Sequence, residues 1–279
     1  MAAGAWGIDQ MDREAIKKAL GLDVPLPVQY VRWMGNVLRG DLGVSLWKDV
    51  SVVELIVEKW PVTFELGFLG LIVAQLIALP IGIISALRQD TWADYIGRSL
   101  AIFCIAIPGF WLGTMIIVFP SIWWGWTPPI MYIPFAEDPA GNLQMVVLPA
   151  IVLGMGMAGM TMRLTRTMML EVLRQDYIRT AWAKGLRERF VIVRHALKNA
   201  LIPVITLIGI QLPVMVGGSV IIEQIFSLPG IGRLILESVL ARDYTIVSGV
   251  MLVLGEFIVL TNLAVDIVYG LLDPRIHYR

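Results

Sequence analysis

The chain has 279 residues, of which 57% are hydrophobic and 16% are charged, and its mean hydropathy is +0.76. A soluble domain of this length could not bury so much apolar surface, so the composition indicates a membrane protein. The formal net charge of zero gives no reason to expect a nucleic-acid partner. With a single cysteine, Cys104, the chain can form neither an internal disulfide nor a cysteine metal cluster.

The segment ahead of the first long apolar run predicts two short helices and a turn. MDREAIKKALGL, residues 11–22, has the pattern of an amphipathic helix that ends at Gly21. VPLPVQYVRWMGNVL, residues 24–38, predicts a second helix that starts at a proline, and RGDLGVSL, residues 39–46, is turn-like. We therefore expect residues 1–61 to form a region of their own ahead of the first span.

Five apolar runs are long enough to cross, as helices, a hydrocarbon core about 30 Å thick. Prolines interrupt several of them, and in membrane helices such prolines commonly mark kinks. The runs are Val62–Leu87, Gly97–Ile122, Leu143–Met162, Ala200–Ile222 and Ile246–Gly270. The predicted fold class is therefore all-α, a polytopic helical membrane protein whose transmembrane domain covers residues 62–279.

The Lys and Arg residues between the runs predict which side of the membrane each connection faces. Residues 163–199 hold nine basic and three acidic side chains, whereas residues 121–142 hold no basic side chain. By the positive-inside rule the first connection is cytoplasmic and the second is external. Alternation then places residues 1–61 and 223–245 outside as well.

The predicted external position of residues 1–61 requires that they be translocated. They carry seven basic and eight acidic side chains and have no signal-peptide pattern. We therefore expect that another membrane helix precedes them in a natural version of this chain.

Two further groups of residues have structural interpretations. Trp123, Trp124 and Trp126 lie beside the predicted external boundary, where indole rings anchor a chain at the membrane interface. A G-x-G-x-x-G pattern lies inside the third run with no preceding strand, so we interpret its glycines as a slim helix face for close packing and not as a dinucleotide site. These glycines are Gly154, Gly156 and Gly159.

Three acidic side chains lie within or near the ends of the apolar runs. Glu65 and Asp266 are near run ends, where solvation is cheap. Glu256 lies mid-run in LVLGEFIVL and needs either a hydrogen-bonding partner or water. We interpret Glu256 as a hydrogen-bonding residue between helices, and a place in a translocation path is the alternative.

The most basic connection contains an amphipathic arm that a glycine interrupts. Asp176 is a candidate N-cap, residues 177–184 make about two helical turns, and Gly185 can adopt the left-handed conformation that ends them. A second helix is predicted from Arg187. Apolar side chains at spacings of four and three predict one stripe along the arm: Ile178, Trp182, Leu186, Phe190, Val193, Leu197 and Leu201. Such an arm is suited either to an anionic lipid surface or to a groove on another protein.

The arm sequence RTAWAKGLRERFVIVRHALKNALIP, residues 179–203, resembles the EAA motif of permease subunits of bacterial ABC importers, in the form found in the dipeptide, oligopeptide and nickel branch. Three further segments resemble that branch in the same order: residues 20–45, 221–244 and 271–278. The generic motif begins Glu-Ala-Ala, where this chain has Arg179, Thr180 and Ala181. The family usually has six spans, so five visible spans agree with a missing first helix.

The resemblance implies a type I permease bundle without a catalytic site of its own. In this family the glycine-broken element docks in a cleft of a cytoplasmic ATPase subunit, which assigns that contact to Thr180, Ala181, Lys184, Gly185 and Leu186. The last external loop receives substrate from an extracytoplasmic binding protein, which assigns that side to Phe226, Pro229, Gly230 and Gly232.

The resemblance also implies a multi-pass protein of the bacterial cytoplasmic (inner) membrane in contact with lipid. Its expected partners are a second homologous permease subunit, a binding protein and two ATPase subunits, with ATP and Mg on those subunits and no cofactor bound by this chain. The sequence has no G-x-x-x-x-G-K-[ST] phosphate loop, which agrees that ATP binds elsewhere. Family cargoes are dipeptides, longer peptides, glutathione and nickel chelates. Two other classes stay open: a self-contained secondary carrier or channel that uses Glu256, and a non-transporting assembly factor.

Overall fold

A computed structural model describes residues 23–129 and 131–272, and in these ranges the chain forms a helical bundle. In chain order the helices are α1 (Leu26–Val37), α2 (Val52–Leu87), α3 (Trp92–Ala106), α4 (Gly109–Trp124), α5 (Pro139–Leu173), α6 (Asp176–Ala183), α7 (Glu188–Phe190), a π-helical segment (Val191–Leu197), α8 (Lys198–Ile225), α9 (Ile231–Leu240) and α10 (Tyr244–Leu272). The predicted helix and turn in residues 24–46 are confirmed by α1 and by positive φ angles at Gly40 and Gly43. The helix predicted for residues 11–22 lies outside the described ranges.

Within the part of the chain that the structure describes, four helical stretches are long and apolar enough to cross a membrane, and a fifth crossing is counted if a bent pair forms one span. The four are α2, α5, the continuous stretch Glu188–Ile225 and α10. The pair is α3 and α4, whose axes differ by 95°. The prediction of an all-α polytopic membrane protein is confirmed.

The bend shows that the second predicted span, Gly97–Ile122, is not one continuous helix. The ring of Pro108 disfavours the helical conformation at the preceding residue, and Ile107 is extended, with ψ 123°. Helix α3 therefore ends at Ala106. Pro80, by contrast, stays inside a continuous helix, so a proline in an apolar run did not by itself predict where the chain breaks.

Two predicted boundaries also differ from the structure. Helix α2 begins at Val52, so residues 52–61, which the sequence assigned to the external region, form its first turns. Helix α5 continues to Leu173, so the first part of the predicted loop 163–199 is helical. Hydropathy marks the apolar middle of a helix and is blind to polar helical ends, which accounts for both differences.

Helix α5 lies at the centre of the bundle and packs on α2, α3 and α8. Glycines allow these backbones to approach closely. A Cβ atom on Gly154 would lie 2.5 Å from the carbonyl oxygen of Gly70, and one on Gly159 would lie 2.8 Å from that of Ala101. The interpretation of the glycine pattern as a packing face is thus confirmed at these two positions, whereas Gly156 faces open space.

Polar contacts join segments that the sequence predicts to lie on the same side of the membrane. The buried carboxylate of Asp243, just before α10, accepts hydrogen bonds from Ser45 Oγ (2.6 Å) and from the backbone N–H of Leu46 (3.0 Å). This contact places the segment ahead of α2 at the same end of the bundle as the connection between α8 and α10. At the other end, Asp94 of α3 forms an ion pair with Arg166 of α5.

Candidate functional site

The predicted cytoplasmic end of the bundle carries a sharp elbow, which we define as residues 174–197. Helix α6 ends at Ala183, and Gly185 follows with φ +75°, the left-handed conformation that glycine adopts without strain. The predicted role of Gly185 as the helix terminator is confirmed. Asp176 is the first residue of α6, and Gln175, one residue earlier, occupies the cap position.

One face of α6 is packed against the long helices on either side. Ile178 and Ala181 are buried in a cluster of small and medium apolar side chains drawn from α2, α5, the π-helical segment and α8. The buried members of this cluster outside α6 are Ala86, Met169, Val191, Ala196 and Ala200. Because small side chains allow close approach, α6 packs closely on the π-helical segment, and the cluster extends from there to the ends of α2, α5 and α8.

Hydrogen bonds reinforce this attachment on the solvent side. The amide Nδ2 of Asn199 donates to the Tyr177 hydroxyl oxygen (2.9 Å) and to the carbonyl oxygen of His195 (3.0 Å). These contacts link the first turn of α6 to the junction between the π-helical segment and α8. The elbow is therefore joined to the start of α8 by hydrogen bonds as well as by packing.

The opposite face of the elbow is exposed. Thr180, Lys184, Gly185 and Leu186 are all accessible, and four of the five residues assigned to ATPase docking are thus on the surface. Ala181, the fifth, is only 8% exposed and packs inward.

The predicted single apolar stripe along the arm is wrong. Ile178 is buried, but Trp182 is 41% exposed and Val193 is 56% exposed. The break at Gly185 changes the direction of the chain, and the π-helical segment shifts the helical phase after it. A stripe drawn at uniform helical spacing cannot continue through these two features.

The residues assigned to the external loop mostly face inward. Phe226, Gly230 and Gly232 are buried, and Pro229 is half-buried. Gly230 and Gly232 both lie against the side chain of Glu223, near the external end of α8. Sequence reasoning placed Glu223 in the external connection and gave it no role, although an acid directly after an apolar run is a detectable signal.

A groove of about 450 Å³ opens between α4, α5 and α8. Its lining is apolar except for the amide of Gln211, whose Nε2 donates to Thr161 Oγ1 and to the Met157 carbonyl oxygen, both at 3.2 Å. Gly156 also lines the groove, which explains why no neighbour fills the space beside it. Gln211 was not predicted as a site residue, because its amide side chain is neutral.

The three acids singled out in the apolar runs have different surroundings. Glu65 Oε2 accepts hydrogen bonds from the hydroxyl of Tyr132 (3.0 Å) and from Asn142 Nδ2 (3.3 Å). Burial, together with the hydrogen bond to Glu65, raises the pKa of Tyr132. Glu256 and Asp266 are exposed on α10, and Glu256 is not among the residues that line the groove.

Asp94, like Glu223, was given no role from the sequence, because its partner Arg166 is distant in the chain. Its buried carboxylate receives Nε and Nη2 of Arg166, each at 2.7 Å, together with the hydroxyl of Ser85. This bidentate ion pair clamps α3 to α5 near the predicted cytoplasmic end. Among the residues that the structure describes, no group of three or more His, Cys, Asp or Glu side chains could hold a metal ion.

Comparison with known proteins identifies the family. Residues 78–278 match the family model described as the binding-protein-dependent transport system inner membrane component, so the chain belongs to this family. It is an inner-membrane permease component of an importer, as the arm sequence indicated.

Curated relatives cover nearly the whole chain. A putative peptide transport system permease protein of Brucella suis is 42% identical over 95% of this chain and 84% of its own length. The oligopeptide transport system permease protein AppB of Bacillus subtilis is 41% identical over 97% of this chain and 87% of its own. The dipeptide transport system permease protein DppB of Escherichia coli is 36% identical over 99% and 88%.

Solved structures support the fold. A chain of the MetNI methionine ABC transporter in an inward-facing conformation superposes with a TM-score of 0.63 at 18% identity and covers 78% of this chain and 96% of its own. A chain of an amino acid ABC transporter gives a TM-score of 0.57 at 14% identity over 80% and 94%. The bundle is therefore of the kind found in ABC importers.

Proposed function

We propose that this chain forms part of the translocation path of an ATP-driven importer of di- or oligopeptides, with the elbow as the contact for a cytoplasmic ATPase subunit. The observation that carries the proposal is the two-faced packing of α6. Its inner face packs into the apolar cluster through Ile178 and Ala181. Thr180 on its outer face is exposed, as are Lys184, Gly185 and Leu186 directly after the helix. A rigidly held, exposed element can pass a force from a partner into the membrane helices.

ATP and Mg are expected on two separate ATPase subunits, and this chain is expected to act without a nucleotide site or other cofactor of its own. A second homologous permease subunit is expected to complete the path. Membership of a binding-protein-dependent family supports an extracytoplasmic binding protein as the donor of the substrate. The half-buried Pro229, beside Lys48 and Arg233 in an external groove, is the most accessible of the residues assigned to that side.

The proposal of a peptide cargo rests on the names of the relatives and on the chemistry of the groove. The relatives named above transport peptides, oligopeptides or dipeptides. The apolar lining of the groove carries no charged side chain, so it would let varied side chains pass without holding any of them tightly. Gln211 is held in place by α5 and offers the one polar side chain of this lining. Glu256, exposed on α10, would then face the path or the second permease.

Transport by the reconstituted importer tests this function. The chain should be assembled with its second permease and the ATPase subunits in proteoliposomes, and uptake of a radiolabelled dipeptide measured with the binding protein outside. We expect uptake only with ATP and the binding protein together. Uptake by the isolated chain, driven by a proton gradient, would instead identify a secondary carrier, and the variant Glu256→Gln would then abolish it.

A further inference from the structure

The external end of α8 carries a buried carboxylate to which the proposed transport function gives no role. Glu223 is completely buried, at 0% exposure. Its Oε1 accepts hydrogen bonds from Thr63 Oγ1 and Ser219 Oγ, both at 2.8 Å, and its Oε2 accepts one from the backbone N–H of Arg233 at 3.0 Å. A buried carboxylate is costly unless its oxygens are satisfied in this way.

Two N–H groups from the first turn of α9, which have no partner within the helix, take part in this network. The N–H of Arg233 donates to Glu223, and the N–H of Ile231 donates to Thr63 Oγ1 (2.8 Å), which itself donates to Glu223. The positive end of the helix dipole thus faces the carboxylate. The Arg233 guanidinium points elsewhere, with Nε at 2.8 Å from Glu237 Oε1.

The neighbouring glycines leave the space that this contact requires. A Cβ atom on Gly230 would lie 2.6 Å from Thr63 Oγ1, and one on Gly232 would lie 2.5 Å from the Cα atom of Val220 and 3.0 Å from Glu223 Oε2. Both glycines are therefore explained by the approach of α9 to Glu223. They do not need a partner protein to account for them.

The position of Glu223 along the chain gives the contact a mechanical meaning. The stretch Glu188–Ile225 is one continuous apolar helical rod, with the elbow at its start and Glu223 close to its end. Helix α9 in turn forms a wall of the external groove of about 250 Å³ that also contains Lys48 and Lys59. Glu223 therefore joins one wall of this groove to the external end of the rod.

We propose that Glu223 is a positioning residue that locks α9 to α8, so that docking of the binding protein at the external groove is transmitted along α8 to the elbow. This inference rests on the proposed function, because it requires a binding protein outside and an ATPase inside. It differs from that function in assigning the transmission to one carboxylate and one hydroxyl, those of Glu223 and Thr63.

The test compares ATP hydrolysis by the complete importer with and without its binding protein. The variants are Glu223→Gln, which keeps the shape of the side chain and loses the carboxylate, and Thr63→Val, which removes the hydroxyl that bridges to Ile231. The matched control is Thr114→Val, because the Thr114 hydroxyl bonds only to Phe110 of its own helix. We expect stimulation by the binding protein to fall about tenfold in Glu223→Gln and about threefold in Thr63→Val, with basal hydrolysis unchanged, since each variant loses buried hydrogen bonds.

Each result has a distinct meaning. Full stimulation of both variants would overturn the proposal. So would an equal loss of basal and stimulated hydrolysis, because a merely structural role lowers both. Should Glu223→Gln fail to assemble, Thr63→Val decides the matter alone. An unaltered importer that the binding protein does not stimulate would refute the proposed function itself.

Discussion

The elbow at one end of α8 and the external helix α9 at the other are held to the rod in opposite ways. At the elbow, the apolar side chains of Ile178 and Ala181 face inward, and the exposed side carries both polar and apolar side chains, such as Lys184 and Leu186. Where α9 meets α8, the buried contact is formed by the Glu223 carboxylate and the Thr63 hydroxyl, and Gly230 and Gly232 beside them are buried as well. The difference teaches that a motif can identify a functional segment without showing which of its residues meet a partner.

The largest effect is expected from Gly185→Pro, which acts on the elbow alone. Proline fixes φ at about −65°, whereas Gly185 has φ +75°, so the turn after α6 cannot form. We expect membrane insertion to remain and ATP-driven peptide uptake to be abolished, as measured in proteoliposomes. Gly35→Ala is the control, because a Cβ there meets no neighbour within 4 Å. Normal uptake by Gly185→Pro would remove the elbow from the mechanism.

The ion pair of Asp94 and Arg166 sharpens the comparison between the two buried carboxylates. Asp94 is balanced by a guanidinium, whereas Glu223 is balanced by hydroxyls and a helix end. Arg166→Met leaves the Asp94 carboxylate buried without its cation and should lower the free energy of unfolding by about 3–5 kcal/mol. Thermal unfolding in detergent measures this loss.

The double variant Asp94→Leu with Arg166→Met is the control for this prediction. Because it removes both charges, it should recover part of the stability that the single variant loses. A double variant that is less stable than Arg166→Met would show that the other contacts of Asp94, with Ser85 above all, matter more than the charge pair.

A smaller loss is expected from Gly230→Ala. The added methyl group would meet Glu223 and Thr63 Oγ1, so the first turn of α9 has to shift away from α8. We expect a loss of about 1–3 kcal/mol in the free energy of unfolding, typical of an overpacked site. The same substitution at Gly217, where a Cβ meets nothing within 4 Å, should be neutral. Equal stability of the two variants would contradict the close approach of α9.

The smallest effect is expected from Glu256→Gln, because Glu256 lies on α10 and at neither end of the Glu188–Ile225 rod. Glu256 is exposed on α10, so the loss of its charge should leave the fold intact. Under the importer account, ATP-driven uptake should change by no more than about twofold, the size of a single exposed contact. Complete loss of uptake would place Glu256 in the path as an essential group.

The fold was predictable from sequence where it depends on one-dimensional signals. Apolar run length gave the spans, and Gly185 gave the turn of the elbow. The position of the bend at Pro108 could not be predicted from the sequence, because Pro80 is also a proline in an apolar run and stays inside a helix. Whether a proline breaks a membrane helix depends on which neighbouring groups satisfy the freed backbone atoms, and this is a property of the packed bundle.

The candidate site was likewise predictable only where it depends on local sequence signals. The resemblance of the arm led to Lys184 and Leu186, which the structure places on the surface. The contacts of Glu223 with Thr63 and of Asp94 with Arg166 join residues far apart in the chain, so a single sequence carries no signal for them. The inward position of Ala181 depends on the phase of a helix of two turns, which a shift of one residue at its start would reverse.

Cysteine cross-linking at the elbow tests the central claim most directly. In the assembled importer, a bifunctional reagent should join Lys184→Cys to a cytoplasmic ATPase subunit, and Ala181→Cys should give little product because that position is buried. The native cysteine, Cys104, is buried and does not compete. A cross-link from Lys184→Cys to the ATPase is the predicted result. Cross-links from Lys184→Cys to phospholipid alone would contradict the account.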